Sequence, residues 1–193
     1  MNKKVIIVGA GGHAQVIKEI IEQNNDMFLG FLDDSKTGKE ILGTTNDIAK
    51  LHKQDDEIYF IVAIGDNKIR NNIYNMNDVK YYTAIHPKSI IAKSAKIGAG
   101  TSIMAGAVIN ANSIIGSNCI INTNTIVEHN CIIEDCVHLS YGVIIGAGCT
   151  IGKETYINAG AIINRNTEIK DFTIIEIGEV VRGEEWWRKL TLY

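Results

Sequence analysis

Residues 97–133 read IGAGTSIMAGAVINANSIIGSNCIINTNTIVEHNCII, and every sixth residue of that stretch is isoleucine or valine: Ile97, Ile103, Ile109, Ile115, Ile121, Val127 and Ile133. The column extends outward in both directions without a break in register. It starts at Ile85 and Ile91, and it runs on through Leu139, Ile145, Ile151, Ile157, Ile163, Ile169 and Ile175 to Val181. A period of six matches neither the helical repeat of about 3.6 nor the strand alternation of about 2. It is the hexapeptide signature of a parallel β-helix, in which each repeat buries its apolar residue only by stacking on its neighbours.

With the column residue as position one, position five is small: Ser89, Ala95, Thr101, Ala107, Ser113, Cys119, Thr125, Cys131. Positions five, six and one then alternate inward, outward, inward, as in a strand. Position four is mostly Gly or Asn, residues that tolerate the left-handed backbone region, so it marks the corner. Three hexads make a triangular coil, and the column predicts nearly six coils, about 27 Å at roughly 4.8 Å each. The outward residues sort into three faces. One reads Ile90, Val108, Ile126, Ile144, Ile162, Val180; a second Lys96, Ile114, Ile132, Thr150, Glu168, Trp186; the third Ser102, Ile120, His138, Tyr156, Ile174. An unbroken apolar outer column marks an interface, and a three-sided prism with one such face predicts a homotrimer.

The chain upstream has a different grammar. Val5–Val8, Phe28–Leu32 and Ile58–Ile64 read as strands, and helical spacing covers Ala14–Gln23, Thr45–Lys53 and Lys68–Met76. Strands alternating with helices imply a small parallel sheet. The expected fold is α/β plus all-β: a Rossmann-like nucleotide-sugar-binding domain over 1–82, then a left-handed parallel β-helix over 83–193. The only proline, Pro87, stands at the seam.

Composition narrows the function. The chain has 193 residues, 46% hydrophobic, with net charge −3. No basic stripe points to nucleic acid, and no apolar run is long enough for membrane insertion. The opening MNKKVIIV reads as a first strand rather than a leader, which places the protein in the cytoplasm. Of the four cysteines, Cys119, Cys131 and Cys149 occupy position five as small core residues. No spacing predicts a metal site.

Two groups of residues could carry chemistry. Gly9-Ala10-Gly11-Gly12-His13-Ala14 follows a strand and opens a helix, so its backbone amides can hold a phosphate. Asp33-Asp34, at the end of the second strand, can accept hydrogen bonds from a ribose or base. About 80 residues leave no room for a second mononucleotide half, so a nucleotide sugar suits the domain better than NAD. The second group is on the β-helix. His129 stands at a corner with Ala111 and Ala147 one coil below and above, leaving space for a substrate beside a general base. His138 is half a coil away, on another side of the prism. A trimer would bring the His129 corner of one subunit toward the His138 face of the next. His52 reads as solvated and His86 as structural.

Together with Ala63-Ile64-Gly65-Asp66-Asn67, Val127-Glu128-His129 and Val137-His138-Leu139-Ser140, these features resemble the sialic acid O-acetyltransferase type of hexapeptide-repeat sugar acetyltransferase. Within it, the chain is most similar to the N-acetyltransferases that acetylate UDP-linked 4-amino sugars in bacterial glycan synthesis. The resemblance implies that His129 is the base for attack of an amine on acetyl-CoA. It also implies that His138, Ala147 and Ala159 lie along acetyl-CoA, and that Gly11, Gly12, His13, Asp33, Asp34 and Gly65 hold the nucleotide sugar. The alternatives are O-acetylation of a sugar or serine hydroxyl, and a non-catalytic nucleotide-sugar scaffold. The chain departs from the family twice. Asn130 replaces the usual carboxylate after the histidine; an Asn oxygen can accept the ring N–H but cannot stabilise imidazolium, unless Glu128 or Asp135 takes that part. At the end of the chain, Trp186-Trp187-Arg188-Lys189 reads as a cap on the solenoid, with contact to the CoA phosphate as its alternative.

Overall fold

The computed structural model describes residues 2–182; the predicted cap at 186–189 lies outside them. In the first domain, β1 (Lys4–Val8), β2 (Met27–Leu32), β3 (Ile41–Gly43) and β4 (Ile58–Val62) form one parallel sheet in the order β3-β2-β1-β4. The helices are α1 (Gly12–Gln23), α2 (Ile48–Gln54) and α3 (Asn67–Met76). Side chains of β1 alternate between two cores. Val5 and Ile7 pack with Ala14, Ile17, Ile20 and Ile21 of α1, and Ile6 and Val8 pack with Ile48 on the other face. Both faces of the central strand are thus buried, which is why it reads as a continuous apolar run. Strand β3 was not foreseen. It is three residues long and pairs only Phe31 with Ile41 and Leu32 with Gly43. The helix expected from Thr45 begins as a single 3-10 turn over Thr45–Asp47.

The second domain stacks seventeen two-residue strands, from β5 (Ala84–Ile85) to β21 (Val180–Val181), into three parallel sheets. Strands eighteen residues apart pair in exact register, as in Ile120 with His138 and Ile126 with Ile144. The column residues from Ile103 to Ile163 are buried throughout and form one axial core, joined by Cys119, Cys131 and Cys149. Fully burying each such aliphatic side chain contributes roughly 1.5–3 kcal/mol. Position four has positive φ in every coil. Asn112 (61°) and Asn130 (58°) fit the expected pattern, but Cys136 (59°), Glu154 (54°) and Phe172 (59°) also adopt it.

The first domain covers the lower part of one prism face. On the sheet that contains β5, the outward residues Ser102, Ile120 and His138 are buried, whereas Ile174 higher up is exposed. Ala84 and Met104 join the α1 core at the seam. The other two faces carry no domain. On one, Ile90 and Val180 are 66% and 52% exposed; on the other, Ile114 and Ile132 are each 43% exposed. Among the described residues, no helix is long and apolar enough to cross a membrane.

Candidate active site at the domain seam

The glycine turn between β1 and α1 is shaped by a close approach. Gly9 has φ 98°, and a Cβ there would lie 3.1 Å from the Ala63 carbonyl oxygen at the end of β4. Beyond it, α1 begins at Gly11 with no side-chain cap and no acidic residue in its first turn. A Cβ on Gly11, Gly12 or Gly65 would meet nothing within 4 Å. These backbone amides are therefore open to an anion at a helix N-terminus.

Asp33 and Asp34 are committed within the chain. The Asp33 carboxylate accepts from the backbone N–H of Ala10, Ser35 and Lys36 and from the Ser35 hydroxyl. Those bonds, Ser35 first, hold its pKa down at about 2 against a smaller opposing effect of burial. Asp34 accepts from the Thr45 N–H and hydroxyl. Both carboxylates shape the loops around the glycine turn.

His138, 7% exposed, sits under this turn. Its Nδ1 lies 3.2 Å from the Gly65 carbonyl oxygen and its ring packs edge-on against Tyr156 at 4.5 Å. A carbonyl only accepts, so Nδ1 carries the proton and Nε2 is left as a bare acceptor. The Nε2 atoms of His13 and His138 are both enclosed and without a hydrogen-bond partner. Burial, followed by the Arg70 charge, pushes His13 down to about 4 and His138 down to about 3. His138 was grouped with Ala147 and Ala159 in the sequence; the structure brings it instead beside Gly65 and His13. Alongside them lies an open groove of about 520 Å³ lined by Gly65, Asp66, Lys68, Tyr156, Phe172 and Ile174.

Arg70 holds the seam, and nothing in the sequence singled it out. It is 1% exposed. Its Nε donates to Asn118 O (2.9 Å), its Nη1 to Ile64 O (3.0 Å) and Gly65 O (3.1 Å), and its Nη2 to Asn67 Oδ1 (2.8 Å) and Cys136 O (2.9 Å). All these partners are neutral oxygens, so the buried charge keeps both nearby imidazoles unprotonated.

The sign of the resulting pH dependence follows directly. In the unfolded chain these histidines titrate near 6.5, whereas in the fold they stay neutral to about 4 and about 3. Between those values the unfolded state binds more protons, so stability falls as pH drops below 6.5, by up to about 1.4 kcal/mol per pH unit for each histidine. Urea unfolding at pH 7, 6 and 5 is expected to show this slope, and His138→Gln to remove part of it. A midpoint that does not move between pH 7 and 5 would contradict the burial of both rings.

His129 is elsewhere. It is exposed at the corner between the strand Ile126–Val127 and the strand Ile132–Ile133, away from the face that the first domain covers. The Gly148 N–H donates to its carbonyl (3.0 Å). Asn130 Nδ2, rather than the expected oxygen, lies 2.9 Å from His129 Nδ1, because Asn130 Oδ1 accepts from Asn112 Nδ2 (3.2 Å). Asp135 does not substitute for the missing carboxylate: it is at the next corner, accepting from the Ser117 N–H. Ala147 stacks above His129 and Ala159 lies on a different corner; both are half-buried. His86 Nδ1 accepts from the Lys88 N–H, a structural bond as expected, and His52 packs edge-on to Phe60 instead of being solvated. Among the described residues, no group of three His, Cys, Asp or Glu could hold a metal ion.

Residues 4–77 match the family described as the PglD N-terminal domain. Over 110 residues the chain is 36% identical to the UDP-N-acetylbacillosamine N-acetyltransferase of Bacillus subtilis (strain 168), a match that covers 52% of this chain and spans about half, 51%, of that relative. Among solved structures it is similar to the perosamine N-acetyltransferase of Caulobacter crescentus in complex with CoA and GDP-perosamine, with TM-score 0.89 and 29% identity over 93% of this chain and 89% of that one. It is also similar to the acetyltransferase domain of PglB from Neisseria gonorrhoeae in complex with acetyl coenzyme A, with TM-score 0.70 and 28% identity over 93% and 96% of the two chains. The chain therefore belongs, through its first domain, to the PglD N-terminal domain family, and it carries that domain on the parallel β-helix of the sugar acetyltransferases.

Proposed function

We propose that the protein transfers the acetyl group of acetyl-CoA to the amine of a UDP-linked 4-amino sugar. His129 is the general base, and the site is completed between subunits of a homotrimer acting in the cytoplasm. One observation carries this reading. The open glycine turn, Gly65, His13 and His138 assemble on one chain, yet both of these imidazoles are pushed far below neutral pH and make poor bases. The exposed imidazole, His129, is on a separate corner, flanked by faces that bear the exposed isoleucines Ile90 and Ile132. A second copy packed on those faces would bring its own seam to His129.

In this reading the anionic nucleotide lies on the α1 amides at Gly11 and Gly12, and Asp33 and Asp34 keep the surrounding loops in shape. His138 Nε2, a bare acceptor, receives an N–H or O–H from the ligand. Acetyl-CoA runs along the corners marked by Ala147 and Ala159. As the amine nitrogen bonds to the thioester carbon, His129 takes its proton; the carbon–sulfur bond then breaks and the proton passes to the departing CoA thiolate. A thioester is already activated, so positioning and a base are sufficient. The nucleotide follows the sequence relative, a UDP-sugar enzyme, over the GDP-sugar enzyme of similar structure.

Hybrid trimers test the shared site. His129→Ala and His13→Ala chains are each expected to be inactive alone. After co-refolding at equal ratio, transfer is expected to return to about a quarter of wild type, because about one interface in four then combines both intact halves. No recovery on mixing would place the whole site within one chain.

A further inference from the structure

Asn130 and Asn112 occupy the same corner one coil apart, both with positive φ, and parallel register lines up their amides. The ladder stops there, since the next residue above is Gly148, which offers no side chain. Below, the Asn112 N–H is fixed by Ser94 Oγ at 3.0 Å. Each amide has one accepting end and one donating end, so two linked amides must turn together. Turning only one would set two oxygens or two NH2 groups against each other.

The linked pair has two self-consistent arrangements. In the first, Asn112 Nδ2 donates to Asn130 Oδ1 and Asn130 Nδ2 meets His129 Nδ1. Nδ1 then accepts, and the ring proton is on Nε2. In the second, both amides are turned by half a rotation. Asn130 Oδ1 accepts from Nδ1–H, Asn130 Nδ2 donates to Asn112 Oδ1, and Nε2 presents a free lone pair. Only the second gives a base at Nε2. A carboxylate at position 130 would accept only and would impose the second arrangement by itself. An amide leaves the choice to the next residue in the ladder.

We propose that Asn112 is a positioning residue that sets, through Asn130, which ring nitrogen of His129 carries the proton. The proposal rests on the reading of His129 as the base, but its primary readout does not depend on activity. Two variants act in a defined way. Asn112→Asp can only accept, so it turns Asn130 into the second arrangement. Asn112→Gly removes the amide at a position whose positive φ glycine adopts freely.

The test is the tautomer ratio of His129 from ring 15N shifts in 15N-histidine-labelled protein, with the signals assigned by their loss in His129→Gln. Asn112→Asp is expected to move the ratio toward Nδ1–H, with kcat at or above wild type. Asn112→Gly is expected to change the ratio from wild type and to lower kcat several-fold, with both KM values unchanged. The same ratio in all three proteins overturns the proposal. If the ratio moves as expected while His129→Ala retains transfer, the relay stands and the assignment of the base falls.

Discussion

Replacing Arg70 with methionine is expected to destabilise the protein by about 3–5 kcal/mol, a large share of the roughly 5–15 kcal/mol that holds a typical fold. Methionine fills much of the volume but donates nothing. Four carbonyls and the Asn67 amide oxygen, at 2.8–3.1 Å from the guanidinium, would lose their partner inside the seam. Each buried acceptor left unpaired costs about 1–3 kcal/mol, reduced where water enters. Asn67 would still reach Glu154 O and Thr155 O, so the domains would stay joined but loosely. Arg70→Lys is expected to recover part of the loss, since an ammonium offers three donors where the guanidinium offers five. Urea titration checks both variants. A loss below about 1 kcal/mol for the methionine variant would mean that apolar packing, not this clamp, joins the domains.

His129→Ala is expected to lower kcat by about 10²–10⁴, the range set by positioned general bases. Binding is expected to persist, because the Gly11, Gly12, His13 and Gly65 cluster does not include His129 within the chain. A UDP-4-amino sugar should still raise the melting temperature of the variant as it does that of the wild type, and more than its GDP counterpart does. Transfer retained within a few-fold would remove His129 from the reaction. Lost protection together with lost transfer would instead make His129 part of the binding surface.

The β-helix was legible in the sequence because its rule is local and repeated. One inward residue recurs at a fixed interval, so the column, the corners and the three faces could all be counted off in advance. Exceptions were hidden where the rule bends: Cys136, Glu154 and Phe172 take the corner conformation without being Gly or Asn. In the first domain, strong apolar runs announced β1, β2 and β4, whereas β3 has only three residues and two ladder partners to mark it. Arg70 was invisible for a different reason. A single arginine in the polar helix sequence NKIRNNIYNM looks solvated, and its partners are backbone oxygens that any residue would supply. The outward position of His138 was foreseen, but not that the first domain covers it. The period defines three faces and does not say which one the upstream chain folds back upon.

Because Arg70 grips the carbonyls of Asn118 and Cys136, one coil apart, it works as a ruler as well as a clamp. Inserting one whole coil between Ile85 and Asn118 would keep every strand in register, yet it would lift both oxygens by about 4.8 Å, beyond the reach of a fixed guanidinium. A coil added above Ile175 would disturb neither. Related proteins that share this arginine should therefore differ in the number of coils above the clamp and keep a constant number below it, so that the solenoid lengthens from one end only.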